Sequence, residues 1–530
     1  MKHPPGELVF FDAIPFLLLF LIAFLPLIVF FGSALQELGK PVLDTNVGSA
    51  LEKVRLICSS LVISFIASTF SLIIGVTLAF LIARTNLSFR RVLKFILFIP
   101  FFIPPYIQAY AWTLLLGKRG IINIAAMKLF SLSRPLFTIY GVKGVIFILA
   151  LSYFPVVLFL ALVGLESWDP SLEESCSLYC SRNKVARYVS FPLIKPYLIS
   201  GFILSFIFSL SQFSVPALLE VKTYSVDLFA QISSFFNESR VALNSMPLFA
   251  ITALLVYLLS KMLQKGYYFI TPAKTDERKI DLNKTGQFFG LSFSLIIVLL
   301  SIVFPLGELI FQTKSVNILF KAIASSKDAI IFSVLIAFIA ATIIAALSFF
   351  LASKSANTRM ELPLKVASAS LLMIPAAIMA IGMIKLWNHK ISEFIYSSPV
   401  MIIFVFVALF ISYGIFVLLS NFKQVDRSLE EAASLCGAGR PMVIKKVLYP
   451  LLKPGLWFSW IIAFTLCLGE LTATILVIPP GRETISLRTF SLMHYGESSF
   501  IAATAFIPIM IFALVLAAFG LVRTTGKAWK

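Results

Sequence analysis

Charged and metal-binding side chains are scarce in this chain of 530 residues. Only 13% of its residues are charged, 59% are hydrophobic, and the mean hydropathy is +0.97. A soluble domain must cover its core with polar surface, so this composition excludes one. The three histidines, His3, His389 and His494, lie far apart, and the five cysteines are an odd number. The sequence therefore predicts neither a metal site nor a disulfide framework.

A phosphate-binding loop is also missing. Such a loop has the pattern Gly-x-x-x-x-Gly-Lys-Ser/Thr, and neither Gly117-Lys-Arg nor Gly526-Lys-Ala has that spacing. The apolar stretches contain no carboxylates, histidines or cysteines at catalytic spacing. The chain is therefore expected not to be an enzyme and to bind no cofactor. Any ATP hydrolysis would belong to a separate subunit.

Long apolar runs fill most of the sequence. A helix that spans a bilayer needs about 20 mainly apolar residues, and the chain contains about twelve such runs. We predict an all-α polytopic membrane protein with about twelve transmembrane helices. The first run is longer than the core of a secretory signal, so we expect it to remain as a helix. The approximate spans are 11–33, 57–83, 95–116, 140–164, 197–219, 246–264, 289–312, 329–353, 363–387, 397–420, 455–478 and 499–522.

The formal net charge of +19 could indicate a nucleic-acid partner, but its distribution favours a membrane. If the N-terminus lies inside, most lysines and arginines fall in the segments on that same side. Loops on the cytoplasmic side of membrane proteins carry such an excess. We therefore predict a multi-pass protein with cytoplasmic N- and C-termini that contacts lipid and no nucleic acid.

The two halves of the chain resemble each other. Ser60–Ala67 matches Ser333–Ala340, and Ser211–Leu219 stands at the same offset as Gly469–Val477. Each half has six predicted helices, so both halves run in the same direction and form a parallel repeat. In transporters built this way, the substrate site lies at the interface between the repeats.

This repeat predicts a division into domains. We expect a first transmembrane domain at residues 1–265, a polar cytoplasmic linker at 266–287, and a second transmembrane domain at 288–530. The predicted outer loops are too short to form a domain of their own.

A charged segment that ends in proline occurs once in each half. The first copy lies within 169–196 and begins Leu172-Glu-Glu-Ser-Cys, and the second lies within 426–454 and begins Leu429-Glu-Glu-Ala-Ala. In the second copy, acids open a helix that Ser428 could cap, and Gly437 ends it. The pattern predicts a helix–turn–helix on the cytoplasmic face that suits docking to a soluble partner. One copy alone would also suit an amphipathic interfacial helix.

The second copy resembles the EAA motif of the permeases of binding-protein-dependent ABC importers. Glu431-Ala-Ala, three residues, Gly437, nine residues and Val447-x-Tyr449-Pro450 have the spacing of that motif throughout. The first copy departs from it. Ser-Cys follows Glu174, Cys180 stands at the glycine position, and the segment before Pro192 is one residue shorter.

This resemblance implies a type I ABC importer transmembrane fold in the bacterial cytoplasmic (inner) membrane. It implies two partners: two copies of a cytoplasmic ABC ATPase subunit, and an extracytoplasmic (periplasmic) substrate-binding protein. It also implies that the repeated segments form coupling helices that transmit ATP-driven movement. The implied ATPase-coupling residues are Glu173, Glu174, Cys180, Pro192, Glu430, Glu431, Ala432, Ala433, Gly437 and Pro450.

A single chain with two such halves resembles the ferric-iron permeases, and the thiamine-type permeases more distantly. The resemblance rests on Ile103–Trp112, Asp169–Glu174 and Gly469–Thr474. It implies the import of iron(III) by alternating access, while thiamine, a polyamine or another small solute remain alternatives. An ion-coupled secondary transporter is the alternative from a different class, since twelve helices in two parallel halves also describe that class.

Four residues are candidates for the transport path. Glu470 is expected about 15 residues into the eleventh helix, and Gln212 is its counterpart in the first half. Ionisable groups at membrane depth are usually functional, and oxygen ligands suit a hard cation such as iron(III). Tyr106 and Tyr110, one helical turn apart, could face the same path. Packing is the alternative role for both tyrosines, and an interfacial position is the alternative for Glu470.

Overall fold

Helices make up nearly all of the regular structure. The computed structural model describes residues 13–38, 47–166, 175–176, 178–179, 181–235, 238–264, 280–356, 358–372 and 374–525. Within these ranges, one isolated bridge joins Thr85 to Ile280, and every other regular element is a helix. Ten helices are long and apolar enough to cross a membrane, and the number is twelve if each of two bent helix pairs is counted as one span. Each of these overlaps one predicted run, which confirms the all-α polytopic fold, but the spans Arg187–Ser211 and Ile444–Gly469 begin well before the predicted runs 197–219 and 455–478.

We number the spans α1 to α12 and refer to α1–α6 as the first half and α7–α12 as the second half. The spans are α1 Ala13–Glu37, α2 Leu51–Arg84, α3 Arg90–Phe102 with Pro105–Phe130, α4 Val142–Glu166, α5 Arg187–Ser211, α6 Arg240–Leu258, α7 Lys284–Thr313, α8 Lys327–Ser355, α9 Glu361–Leu372 with Ala376–Trp387, α10 Val400–Gln424, α11 Ile444–Gly469 and α12 Ser498–Ala518. Shorter helices lie between them at Ser214–Leu218, Tyr224–Phe235, Val316–Ser325, Glu393–Tyr396, Arg427–Leu435, Arg440–Val443, Thr474–Val477 and Ile485–Leu492.

The third span of each half is sharply bent. The two parts of α3 meet at 94°, and the two parts of α9 meet at 98°. At each bend a proline precedes the second helical part: Pro104 has ψ 132° and Pro375 has ψ 136°. Prolines lack an N–H and disfavour helical geometry in the residue before them, so the chain leaves the helix here. The loose sequence match between these two regions therefore corresponds to a repeated bend.

The chain also repeats its geometry after the polar segments. The first half continues with a short helix at Arg182–Val185, a π-turn at Ala186–Ser190 and a long helix at Phe191–Ser211. The second half has the same three elements in the same order: a short helix at Arg440–Val443, a π-turn at Ile444–Leu448 and a long helix at Tyr449–Gly469. From Arg182 onwards, residues of the first half and their counterparts in the second half are separated by a constant number of positions. The one residue by which the first polar segment is shorter than the second is therefore missing before Arg182.

The first helix of each half packs against the other half. Leu19, Ala23 and Phe30 of α1 belong to the same buried cluster as residues of α9 and α10. A Cβ atom on Gly382 of α9 would lie only 2.6 Å from the carbonyl oxygen of Pro26, so glycine permits this close approach. In the same way, α7, the first helix of the second half, packs against α3 and α4 of the first half.

Gln108 of α3 holds α7 against the first half through hydrogen bonds. Its side chain is 1% exposed, and its Nε2 donates to the carbonyl oxygen of Ser301 at 3.4 Å. Ser301 lies in a π-turn at Leu299–Val303 within α7. The hydroxyl of Ser152 in α4 donates to Gln108 Oε1 at 2.6 Å. One buried amide thus connects α3, α4 and the crossing helix.

The end of the predicted linker differs from expectation. α7 begins at Lys284, because the side chain of Asn283 accepts a hydrogen bond from the N–H of Gly286 at 2.8 Å and caps the helix. The last four residues of the predicted 266–287 linker are therefore helical. Residues 266–279 lie outside the described ranges, and the division into domains stays a prediction.

Candidate functional site

A cavity of about 200 Å³ lies between the two halves. The bends of α3 and α9, the ends of α5 and α11, and the middle of α4 and α10 form its wall. Among the described lining residues, Glu470 is the only one with a charged side chain, and none is a lysine, arginine or histidine. The polar lining residues are Tyr106, Ser152, Tyr153, Ser211, Gln212, Ser214, Tyr413, Thr465, Glu470 and Thr472. This is a small site with one carboxyl group and many hydroxyl groups.

Glu470 lies at the end of α11 and not within it, contrary to the sequence-based expectation. α11 ends at Gly469, and Glu470 has an extended backbone with φ −70° and ψ 127°. Just before this turn, a Cβ on Gly469 would lie 3.0 Å from Pro104 Cγ, so glycine permits a close approach to the bend of α3. Glu470 Oε1 accepts a hydrogen bond from the N–H of Ala473 at 2.8 Å. That bond fixes the carboxylate beside the cavity.

Gln212 occupies the corresponding place in the first half. It follows the end of α5 with φ −73° and ψ 122°, nearly the same backbone geometry as Glu470. Its Nε2 donates to the hydroxyl of Ser214 at 2.7 Å, and its Oε1 accepts from the hydroxyl of Tyr153 at 3.2 Å. The structure therefore brings the predicted pair, Gln212 and Glu470, to one cavity from opposite halves.

The two tyrosines predicted for the transport path differ in their position relative to the cavity. Tyr106 lines the cavity, within the first helical turn after the α3 bend. Tyr110, one turn later, does not line it. Its hydroxyl donates to the carbonyl oxygen of Ser498 in α12 at 3.5 Å, and Glu308 of α7 lies near enough to interact with it electrostatically. Tyr110 therefore takes part in packing between α3, α7 and α12.

Tyr153 and Tyr413 line the cavity and were not among the candidates from the sequence. They stand in the middle of α4 and α10, each directly after a serine. A Ser-Tyr pair within a very apolar span was the sequence signal that could have identified them. Both tyrosines lie close enough to Glu470 to interact with its charge, and Tyr153 also interacts with Tyr413.

The second polar segment forms the expected helix–turn–helix. Its first helix spans Arg427–Leu435, and Asp426, not Ser428, is the N-cap residue. Asp426 Oδ1 accepts from the N–H of Ser428 at 3.0 Å, and hydrogen bonds from Ser428 lower the pKa of Asp426. Gly437 follows the helix with φ +79°, a conformation that favours glycine. Glu431 is exposed, and Glu430 is half-buried.

The first polar segment is described only in part. Glu173, Glu174 and Cys180 lie outside the described residues. Pro192 stands in the first turn of the helix Phe191–Ser211, as Pro450 does in the helix Tyr449–Gly469.

Each polar segment presents an apolar side chain to solvent. Leu178 is 79% exposed, and its counterpart Leu435 is 89% exposed. Each polar segment thus has an exposed leucine side chain that no residue in the described part of the chain covers.

An ion pair stands beside each polar segment. Lys94 Nζ, at the start of α3, lies 2.7 Å from Glu166 Oε1 at the end of α4. In the second half, Lys423 Nζ at the end of α10 lies 2.6 Å from Glu361 Oε1 at the start of α9. Each pair joins the span that leads into a polar segment to the bent span that forms the cavity wall.

Comparison with known proteins shows similarity to membrane components of importers. Residues 71–260 match the model of the family described as "Binding-protein-dependent transport system inner membrane component". An Fe(3+)-transport system permease protein of Haemophilus influenzae is 23% identical over 446 residues, which are 82% of this chain and 82% of that protein. A ferric transport system permease protein of Actinobacillus pleuropneumoniae is 23% identical over 491 residues, 87% of this chain and 70% of that protein.

A shorter match involves a different solute. A putrescine transport system permease protein of Escherichia coli strain K12 is 33% identical over 111 residues, which are 21% of this chain and 37% of that protein. The family match, the similarity to whole permease chains and the twelve apolar spans agree with one another. Residues 71–260 thus resemble the inner membrane components of binding-protein-dependent transport systems, and most of the chain is similar to permease proteins of such systems, in agreement with its many apolar helices that are long enough to cross a membrane.

Proposed function

We propose that the chain is the permease subunit of an ATP-driven importer that takes iron(III) from an extracytoplasmic binding protein and releases it into the cytoplasm. The observation that carries this proposal is the cavity between the halves, in which Glu470 is the one charged side chain of the described lining. A negative, oxygen-rich site attracts a cation and repels an anionic solute. The similarity to two ferric permeases over most of the chain supports iron(III) among the cations.

The driving force comes from a separate ATPase in this proposal. Two copies of that subunit bind the polar segments around Glu174 and Glu431, with Leu178 and Leu435 as apolar contacts. Movement of the segments passes through the ion pairs Lys94–Glu166 and Lys423–Glu361 to the bent spans. The cavity then opens alternately to the two sides of the membrane.

A polyamine is the second candidate substrate. It too is cationic, and the putrescine permease match supports it. A linear diamine carries two separated ammonium groups, whereas the described cavity lining has a single carboxylate. This single charge favours a compact metal ion, and competition by putrescine for uptake separates the two candidates.

The experiment is the uptake of radioactive iron(III) by cells that express the chain with its ATPase and binding protein. Glu470→Gln should lower uptake about tenfold, which corresponds to about 1.4 kcal/mol of lost interaction. Glu308→Gln is the matched control. Glu308 is also a buried carboxyl group within a membrane span, with 6% of its surface exposed, but it does not line the cavity. Normal uptake by Glu470→Gln, with normal assembly, would overturn the cation site. Uptake that needs an ion gradient but no ATP would support a secondary transporter instead.

A further inference from the structure

Two phenols and one carboxylate meet in the cavity. Tyr153 comes from α4, Tyr413 from α10, and Glu470 from the end of α11. The two tyrosines interact electrostatically with each other and with Glu470. Tyr106 also lines the cavity and interacts electrostatically with Glu470, but no interaction joins it to Tyr153 or Tyr413. The phenols that interact with each other as well as with the carboxylate are therefore those of Tyr153 and Tyr413.

Neighbouring polar groups hold these oxygens in place. Gln212 Oε1 accepts the hydrogen bond of the Tyr153 hydroxyl at 3.2 Å, while its amide nitrogen is held by Ser214. The N–H of Ala473 holds one carboxylate oxygen of Glu470. The phenol and the carboxylate are thus oriented before any solute arrives, which reduces the ordering that binding requires.

We propose that Tyr153, Tyr413 and Glu470 are direct ligands of iron(III) during its passage, an inference that rests on the proposed import of iron(III). Hard cations prefer oxygen ligands, and tyrosinate is a known ligand of ferric iron in proteins. On binding, each phenol O–H bond is replaced by an Fe–O bond, and two protons leave to water. The iron stays in the ferric state throughout.

Charge explains why this ligand set suits a membrane. Two phenolates and one carboxylate neutralise the three positive charges of ferric iron. A neutral complex avoids the large penalty of placing a bare ion in a medium of low dielectric constant. Because the ligands belong to both halves, a relative movement of the halves separates Tyr153 from Tyr413 and Glu470. Loss of one phenolate leaves the complex charged, which favours release of the metal.

The test is spectroscopic and uses the full-length chain in detergent micelles. Iron(III) supplied as its nitrilotriacetate complex should produce a phenolate-to-iron charge-transfer band in the visible region, which saturates at one metal per chain. Tyr153→Phe and Tyr413→Phe should each weaken iron binding about tenfold or more, and the double variant should abolish the band. Tyr110→Phe is the matched control, because Tyr110 is a buried tyrosine that does not line the cavity.

The outcomes separate this inference from the proposed function. A band that appears in the wild-type chain and disappears in the double variant supports the tyrosine ligands. Bound iron without a band, or a band that survives in the double variant, overturns them. Normal iron uptake by the double variant would overturn the ligand set and leave the import of iron(III) standing. Failure of the wild-type chain to import iron would overturn the proposed function itself.

Discussion

The turn at Gly437 offers a sharp test of the polar segment. The helix Arg427–Leu435 ends in a Schellman arrangement, in which the N–H of Ala438 donates to the carbonyl of Ala433 at 3.1 Å and the N–H of Gly437 to that of Ser434 at 3.0 Å. This arrangement needs a left-handed residue, and Gly437 supplies it with φ +79°. An added Cβ would meet nothing within 4 Å. Gly437→Ala therefore introduces backbone strain without a steric clash.

The size of that strain can be estimated. A residue with a Cβ in the left-handed region costs roughly 1–2 kcal/mol. If the ATPase binds the segment only with this turn formed, the affinity should fall by a factor of about 5–30. The assay is the dissociation constant of the co-purified ATPase for the detergent-solubilised permease, together with ATP hydrolysis stimulated by the binding protein.

Gly481 provides the matched control. It has φ +76°, an added Cβ would also meet nothing within 4 Å, and it lies between the helices Thr474–Val477 and Ile485–Leu492, away from the polar segment. Gly481→Ala should carry the same strain and leave ATPase affinity unchanged. The reasoning is refuted if Gly437→Ala binds the ATPase like the wild type, or if both variants lose the same affinity.

Two further predictions follow from the polar groups. Glu431→Lys should separate ATP hydrolysis from transport, since it reverses an exposed charge in the segment proposed to bind the ATPase. The control is Glu393→Lys, in the helix Glu393–Tyr396 between α9 and α10; coupled uptake retained in Glu431→Lys, or lost equally in the control, would contradict the docking role. Gln108→Leu should lower the free energy of unfolding by about 1–3 kcal/mol, because it leaves the buried hydroxyl of Ser152 and the carbonyl of Ser301 without their amide partner. Thermal unfolding in detergent measures this, and an unchanged midpoint would show that α7 is held by other contacts.

The sequence predicted the spans well because bilayer thickness sets the length of each apolar run. It also predicted that Gln212 and Glu470 are counterparts, since the repeat gives them the same position after matching helices. It did not predict that α11 stops before Glu470, because the apolar run continues beyond Gly469. It also did not predict the close approach of Gly469 to Pro104, since hydrophobic runs carry no information about contacts between the halves.

The tyrosines show a second limit of sequence reasoning. Tyr106 and Tyr110 are one turn apart and share a helix face, so periodicity treats them alike. The bend at Pro104 brings only the first turn of the helix to the cavity, and Tyr110 reaches α12 instead. Tyr153 and Tyr413 are in very apolar spans, where a Ser-Tyr pair is the one sequence signal that marks each of them. Only the structure shows that both tyrosines line the same cavity as Glu470.

The exchange of first helices between the halves has a consequence for how the protein is made. Membrane domains that emerge first from the ribosome generally fold first. Here α1 cannot complete its packing until α9 and α10 have been synthesised. In the same way, Gln108 of α3 has no carbonyl of α7 to bind until α7 is inserted. The order of synthesis therefore differs from the order of packing. Joining both halves in one polypeptide ensures that each waiting helix meets its own partner, in equal number and in the same membrane.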